Sequence, residues 1–99
     1  MDKQCIEVKI SGKVQGVYFR AHTEDQAEKL GLKGFVKNMP DGTVLATVEG
    51  TSEQLSAFVN WCKEGSPNSN VKNVEISYVE NHENFNGFEI RFEQNDRPD

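Results

Sequence analysis

Gly12-Lys13-Val14-Gln15-Gly16-Val17-Tyr18-Phe19-Arg20 is the stretch whose residue types and spacing could do chemistry. Its glycines admit backbone conformations closed to other residues, so a turn here can aim successive main-chain N–H groups at one point and cradle the oxygens of an anion. Arg20 follows where that turn meets the next element. A guanidinium grips two phosphate oxygens at once and stays charged at any working pH; Lys would match the charge but not the planar fork. A bare two-glycine loop also serves as a plain strand-to-helix connection, so the reading depends on what surrounds it.

The surrounding pattern supplies a strand before the loop and a helix after it. From Cys5 to Ile10 apolar and polar residues alternate, with Ile6, Val8 and Ile10 on one face and Glu7 and Lys9 on the other, the period of a half-buried strand. His22 to Leu30 reads as a helix burying Ala27 and Leu30, with Gly31 at its C-terminal cap. Phe35–Asn38 and Thr43–Glu49 form a hairpin around Met39-Pro40-Asp41-Gly42, a strong turn signal. Asn38 opens that turn, a position Asn favours for conformational reasons alone. Thr51-Ser52-Glu53-Gln54 has the spacing of a capping box, and Leu55, Phe58, Val59 and Cys62 follow on one helical face. After Gly65-Ser66-Pro67-Asn68, the runs Val71–Val79 and Gly87–Phe92 read as strands, the latter with Phe88, Ile90 and Phe92 toward the core.

The order is βαββαβ plus a C-terminal strand. It predicts an α+β, two-layer ferredoxin-like sandwich: a mainly antiparallel sheet with both helices on one face. The first and third strands should lie side by side near its centre, with the place of the last strand open. Ninety-nine residues accommodate one core and no second domain of ordinary size, so a single domain over 1–93 and a flexible tail over 94–99 are expected.

Composition narrows the function further. Sixteen Asp and Glu against eleven Lys and Arg give a formal charge of −5, which opposes extended nucleic acid or an anionic membrane but not a small anion held by one loop. No apolar stretch reaches the length of a membrane span or a signal core, and the cytosol is the expected compartment. Cys5 and Cys62 belong to no zinc-type cluster, and His22 and His82 are isolated. No metal is expected, and the thiols are expected reduced, their pairing being open. Trp61 and Phe58 are expected to pack, and Thr23 and Thr43 are candidate hydrogen-bond donors near the site.

The nonapeptide 12–20 resembles the acylphosphatase signature of glycine, any residue, Val-Gln-Gly-Val, any residue, an aromatic and Arg. A second motif of that family is also present: Gly34-Phe35-Val36-Lys37-Asn38, with Gly42, Val44 and Gly50 at the family's distances. The resemblance runs from Cys5 to Phe92. It implies metal-independent, cofactor-free hydrolysis of an acyl phosphate to a carboxylate and inorganic phosphate. Gln15, Gly16, Val17, Tyr18, Phe19 and Arg20 would hold the phosphate, with the ring of Phe19 packed beneath the loop, and the side-chain amide of Asn38 would orient the attacking water. The motifs address the phosphate end of the substrate and leave its acyl group open.

Two other readings stand beside this one. The same architecture carries noncatalytic RNA-binding and metabolite-sensing modules; the missing basic aromatic strand and the negative charge weigh against RNA. Acylphosphatase-like domains also occur inside larger maturation proteins directed at carbamoyl phosphate. A free-standing monomer without nucleic-acid or membrane partners is the simplest expectation.

Overall fold

In a computed structural model that describes residues 3–80 and 83–92, the elements run β1 (Gln4–Lys13), α1 (Phe19–Lys29), β2 (Lys33–Asn38), β3 (Val44–Gly50), α2 (Ser52–Glu64), β4 (Asn70–Tyr78) and β5 (Phe88–Arg91). The expected tail 94–99 and His82 lie outside the described residues. The strands form one sheet in the order β4-β1-β3-β2-β5. As expected, β1 and β3 are neighbours, pairing Ile6 with Val48, Val8 with Ala46 and Ile10 with Val44. The last strand takes the edge beside β2 and, among the described residues, is the one parallel partner, pairing Val36 with Ile90 and Lys37 with Arg91.

That register gathers the apolar side of each strand on one face. Ile6, Val8, Ile10, Val36, Val44, Ala46 and Val48 share a core with Phe19 and Ala27 of α1 and Leu55, Phe58, Val59 and Cys62 of α2. Both helices therefore cover the same face. The opposite face carries Glu7, Lys9 and Lys37 with Leu45 between the lysines, and a small cover in which Phe85 stands edge-on to Phe35 at 6.1 Å and the Arg91 guanidinium lies 3.9 Å from the Phe35 ring centre. Cys5 belongs to this opposite face, next to Glu49, while Cys62 lies in the core, so the sheet separates two free thiols.

Several boundaries shift by one or two residues from the sequence reading, and three differences bear on the site. β1 runs on to Lys13 because Gly12 and Lys13 pair with Val71 and Asn70 across a shift in register after Ser11. Gly12 is required there: at φ +123° a Cβ would lie 2.1 Å from the Asn70 carbonyl oxygen. α1 starts at Phe19 rather than His22, which shortens the free loop to residues 14–18. Phe92 is not a core residue, being 63% exposed just past the end of β5.

Candidate active site

The loop 14–18 is pinned from below and shaped by two left-handed residues. Val14 is buried and its N–H bonds the Gly12 carbonyl at 3.1 Å. At the other end Phe19 is fully buried, its ring centre 5.5 Å from that of Trp61, which in turn lies 6.4 Å from Phe58. The three rings pack together beneath the loop, where the resemblance places Phe19. Between the anchors Gly16 has φ +75° and Tyr18 φ +59°, the only non-glycine with positive φ among the described residues. A bulky residue in the left-handed region carries strain that the surroundings must overcome, and such strain concentrates where a backbone is held for function.

Tyr18 is also the N-cap of α1, and it caps nothing with its side chain, which is largely exposed. No carbonyl of the main chain among the described residues accepts from the N–H groups of Gln15, Gly16, Val17 or Tyr18. The first turn of α1 contains no acidic residue. These N–H groups and the start of the helix dipole form a local field that favours an anion on a chain whose net charge is negative.

Arg20 sits in that first turn and is completely buried, its guanidinium carbon 4.7 Å from the centre of the Phe92 ring. A planar cation over an aromatic face is held in orientation as well as attracted. Sequence alternation placed Phe92 in the core and so missed this contact; no signal in the sequence marks it.

Asn38 is the last residue of β2, 7% exposed, opposite Val44. It shares the helix-covered face with Val36, two residues back. Phe92 follows directly on the Lys37–Arg91 pair, which brings it level with Asn38 and ties the ends of β2, β5 and the first turn of α1 into one corner.

The loop is fastened to the Asn38 hairpin by Gln15, whose side-chain Nε2 donates to the carbonyls of Met39 at 2.9 Å and Thr43 at 2.8 Å. The hairpin itself is closed by Met39 N–H to the Thr43 carbonyl at 2.8 Å and Gly42 N–H to the Met39 carbonyl at 3.1 Å. Asp41 adds a side-chain brace, accepting from the Thr43 N–H at 3.0 Å and hydroxyl at 2.6 Å, with Lys9 Nζ at 3.3 Å. The two Thr43 hydrogen bonds, followed by Lys9, hold the Asp41 carboxyl down at about 2.

Thr43 is therefore committed to the turn. Thr23 likewise turns its hydroxyl back to the Phe19 carbonyl at 2.7 Å. His22 is exposed on α1, and no group of three or more His, Cys, Asp or Glu suited to a metal occurs among the described residues.

The acylphosphatase family model matches residues 6–90. The chain belongs to the acylphosphatase family. Among curated relatives, an acylphosphatase of Syntrophobacter fumaroxidans is 46% identical over 93 residues, which is 94% of this chain and 92% of that protein. An acylphosphatase structure from Coxiella burnetii superposes with a TM-score of 0.86 at 37% identity, covering 91% of this chain and 94% of that one. Full-length HypF, solved in a phosphate- and nucleotide-bound form, matches 91% of this chain with only 12% of its own length, at TM-score 0.80 and 31% identity. The acylphosphatase unit thus also occurs as a small part of a much larger protein.

Proposed function

We propose that this chain hydrolyses the carboxyl–phosphate bond of acyl phosphates without a metal, its phosphate held by the 12–20 loop and Arg20 and its attacking water oriented by Asn38. The supporting observation is the uncapped, left-handed approach to α1 with a fully buried Arg20 in its first turn. The main-chain N–H groups of Gln15, Gly16, Val17, Tyr18 and Phe19 face the phosphate oxygens in this reading, and Arg20 takes two of them.

The chemistry asks little else of the protein. The leaving carboxylate has a conjugate acid of pKa roughly 4 to 5, so it departs as an anion without a strong general acid. Phosphoryl transfer depends on positioning and on stabilising charge spread over three equatorial oxygens. The Asn38 amide accepts one hydrogen bond from the water and leaves the oxygen lone pair in line with the scissile bond. As the water oxygen bonds to phosphorus, the carboxyl oxygen–phosphorus bond breaks and a water proton passes to a phosphate oxygen. One domain over residues 1–93 suffices for this, as a cytoplasmic monomer whose charge of −5 opposes self-association.

The test is steady-state hydrolysis of benzoyl, acetyl and carbamoyl phosphate, each with and without chelator. Chelator leaves the rates unchanged. Arg20→Ala loses about 10³-fold or more in kcat/KM together with phosphate inhibition, while Asn38→Ala loses about 10²-fold in kcat and remains inhibited by phosphate. Turnover retained by Arg20→Ala, or abolished by chelator, contradicts the mechanism. A preference for carbamoyl phosphate would assign the activity of the larger maturation proteins instead.

A further inference from the structure

We infer that the Gln15 side chain is a positioning residue that sets the distance between the phosphate loop and Asn38, and is not itself a phosphate ligand; this rests on the hydrolase reading above.

A side-chain amide has two N–H donors. Gln15 directs its Nε2 at two carbonyls, those of Met39 and Thr43, at 2.9 and 2.8 Å, from a partly buried position. Neither hydrogen is left for an anion. These carbonyls flank the Asn38–Val44 pair that ends the hairpin ladder, since Met39 follows Asn38 and Thr43 precedes Val44. The amide therefore clamps both legs of the hairpin at the step next to Asn38.

The clamp adds a direct link between the loop and the hairpin turn to the pairing of β1 with β3. The hairpin is braced by its own turn bonds, by Asp41 with Thr43 and by Lys9 of β1, and the loop is braced by Val14 and Phe19 in the core. Gln15 joins one rigid part to the other across 24 and 28 residues of sequence. A water aimed by Asn38 must meet phosphorus in line, and a displacement near 1 Å costs about two orders of magnitude. The link thus bears on the attacking side of the reaction, while the phosphate is gripped by groups that do not depend on it.

The chemistry of the position also restricts its occupant. Facing two carbonyls, Glu in its charged form supplies no donor and is repelled; Asn has the donors but is a methylene short; Lys brings a charge beside the loop.

The test uses Gln15→Met, of similar length without donors, and Gln15→Glu, each also in an Asn38→Ala background. With an active wild type, Gln15→Met lowers kcat about 10-fold to 100-fold, and the inhibition constant of inorganic phosphate stays within about threefold. In the Asn38→Ala background the same change costs less than about twofold, because the group it positions is gone. Gln15→Glu regains rate relative to wild type as the pH falls and its carboxyl, raised by the two carbonyls, takes up a proton that can donate again. Gln15→Met has no such recovery, so the pH profile separates a lost donor from a loosened fold, and urea unfolding of each variant confirms that it is folded at the assay condition.

Three results overturn the inference: an unchanged kcat in Gln15→Met, a phosphate inhibition constant raised about tenfold or more, or a full multiplicative loss in the Asn38→Ala background. An unmodified chain that releases no phosphate from any acyl phosphate fails the hydrolase reading itself, before the variants are compared.

Discussion

Ahead of α2 the chain completes the start of a helix with its own side chains. The Thr51 hydroxyl accepts from the Gln54 N–H at 3.3 Å, the Gln54 amide oxygen accepts from the Thr51 N–H at 2.9 Å, and Glu53 places a negative charge in the first turn. Ahead of α1 the chain does none of this. Tyr18 stands at the N-cap in a left-handed conformation, makes no side-chain cap, and is followed by a turn without acidic residues. Both connections join a strand to a helix over the same face of the same sheet, so topology cannot account for the contrast. A capped start is finished within the protein, whereas an uncapped one keeps donors for a ligand. On the proposed function, this asymmetry separates the half that holds the phosphate from the half that supports it.

The contrast is open to direct attack, beginning with its glycines. Gly12→Ala drives a Cβ into the main chain of β4, at 2.1 Å from the Asn70 carbonyl oxygen and 2.8 Å from the Lys72 nitrogen, at φ +123°. It should remove more than about 3 kcal/mol in urea unfolding. Gly50→Ala, at the last residue of β3 ahead of α2, meets the ends of the Leu32 and Gln54 side chains at 2.5 and 2.7 Å. Those ends can swing away, so its cost should be about 1 to 2 kcal/mol; equal costs would erase the distinction. Thr51→Ala should lose about 1 kcal/mol of stability with kcat/KM unchanged within about twofold, since the α2 cap serves only the fold.

Tyr18→Asp sets a carboxylate beside the uncapped donors. It should raise KM for a model acyl phosphate about twofold to fivefold, and an unaltered KM would mean that the loop does not face the phosphate.

The smallest effect concerns the hairpin brace. The Asp41 carboxyl is lowered from its ordinary 3.8 to about 2 by the folded turn, so its contribution is complete above pH 4 and disappears as the pH falls toward 2. Asp41→Asn should flatten the acid limb of the stability profile over that window, as measured by thermal unfolding, without altering stability differences above it.

How much of this the sequence disclosed follows from the range of each interaction. The alternation of Ile6, Val8 and Ile10 and the Leu55, Phe58, Val59, Cys62 stripe reflect burial on one face, a local signal, and the structure buries all of them. The capping box at Thr51 is equally local and is present. The start of α1 was misplaced because Tyr18 caps by backbone conformation, and Tyr is not a residue whose type announces a left-handed turn. β1 was cut short because its last residues are held by β4, some sixty positions away. Phe92 defeated the alternation rule because β5 ends at Arg91 and the ring beyond it turns to Arg20 instead of entering the core. Arg20 and Asn38 were marked by motif, yet the Gln15 link between their neighbourhoods spans two elements and leaves no trace in spacing.

The parallel edge strand has a further consequence for how the protein comes into being. Because the ring that lies over the Arg20 guanidinium belongs to residue 92, a nascent chain that stops short of β5 holds both helices and the first four strands but not that ring. The Arg20 guanidinium therefore gains its aromatic neighbour only after both helices and β1 to β4 have been made, and a copy cut before β5 lacks the ring that orients that cation.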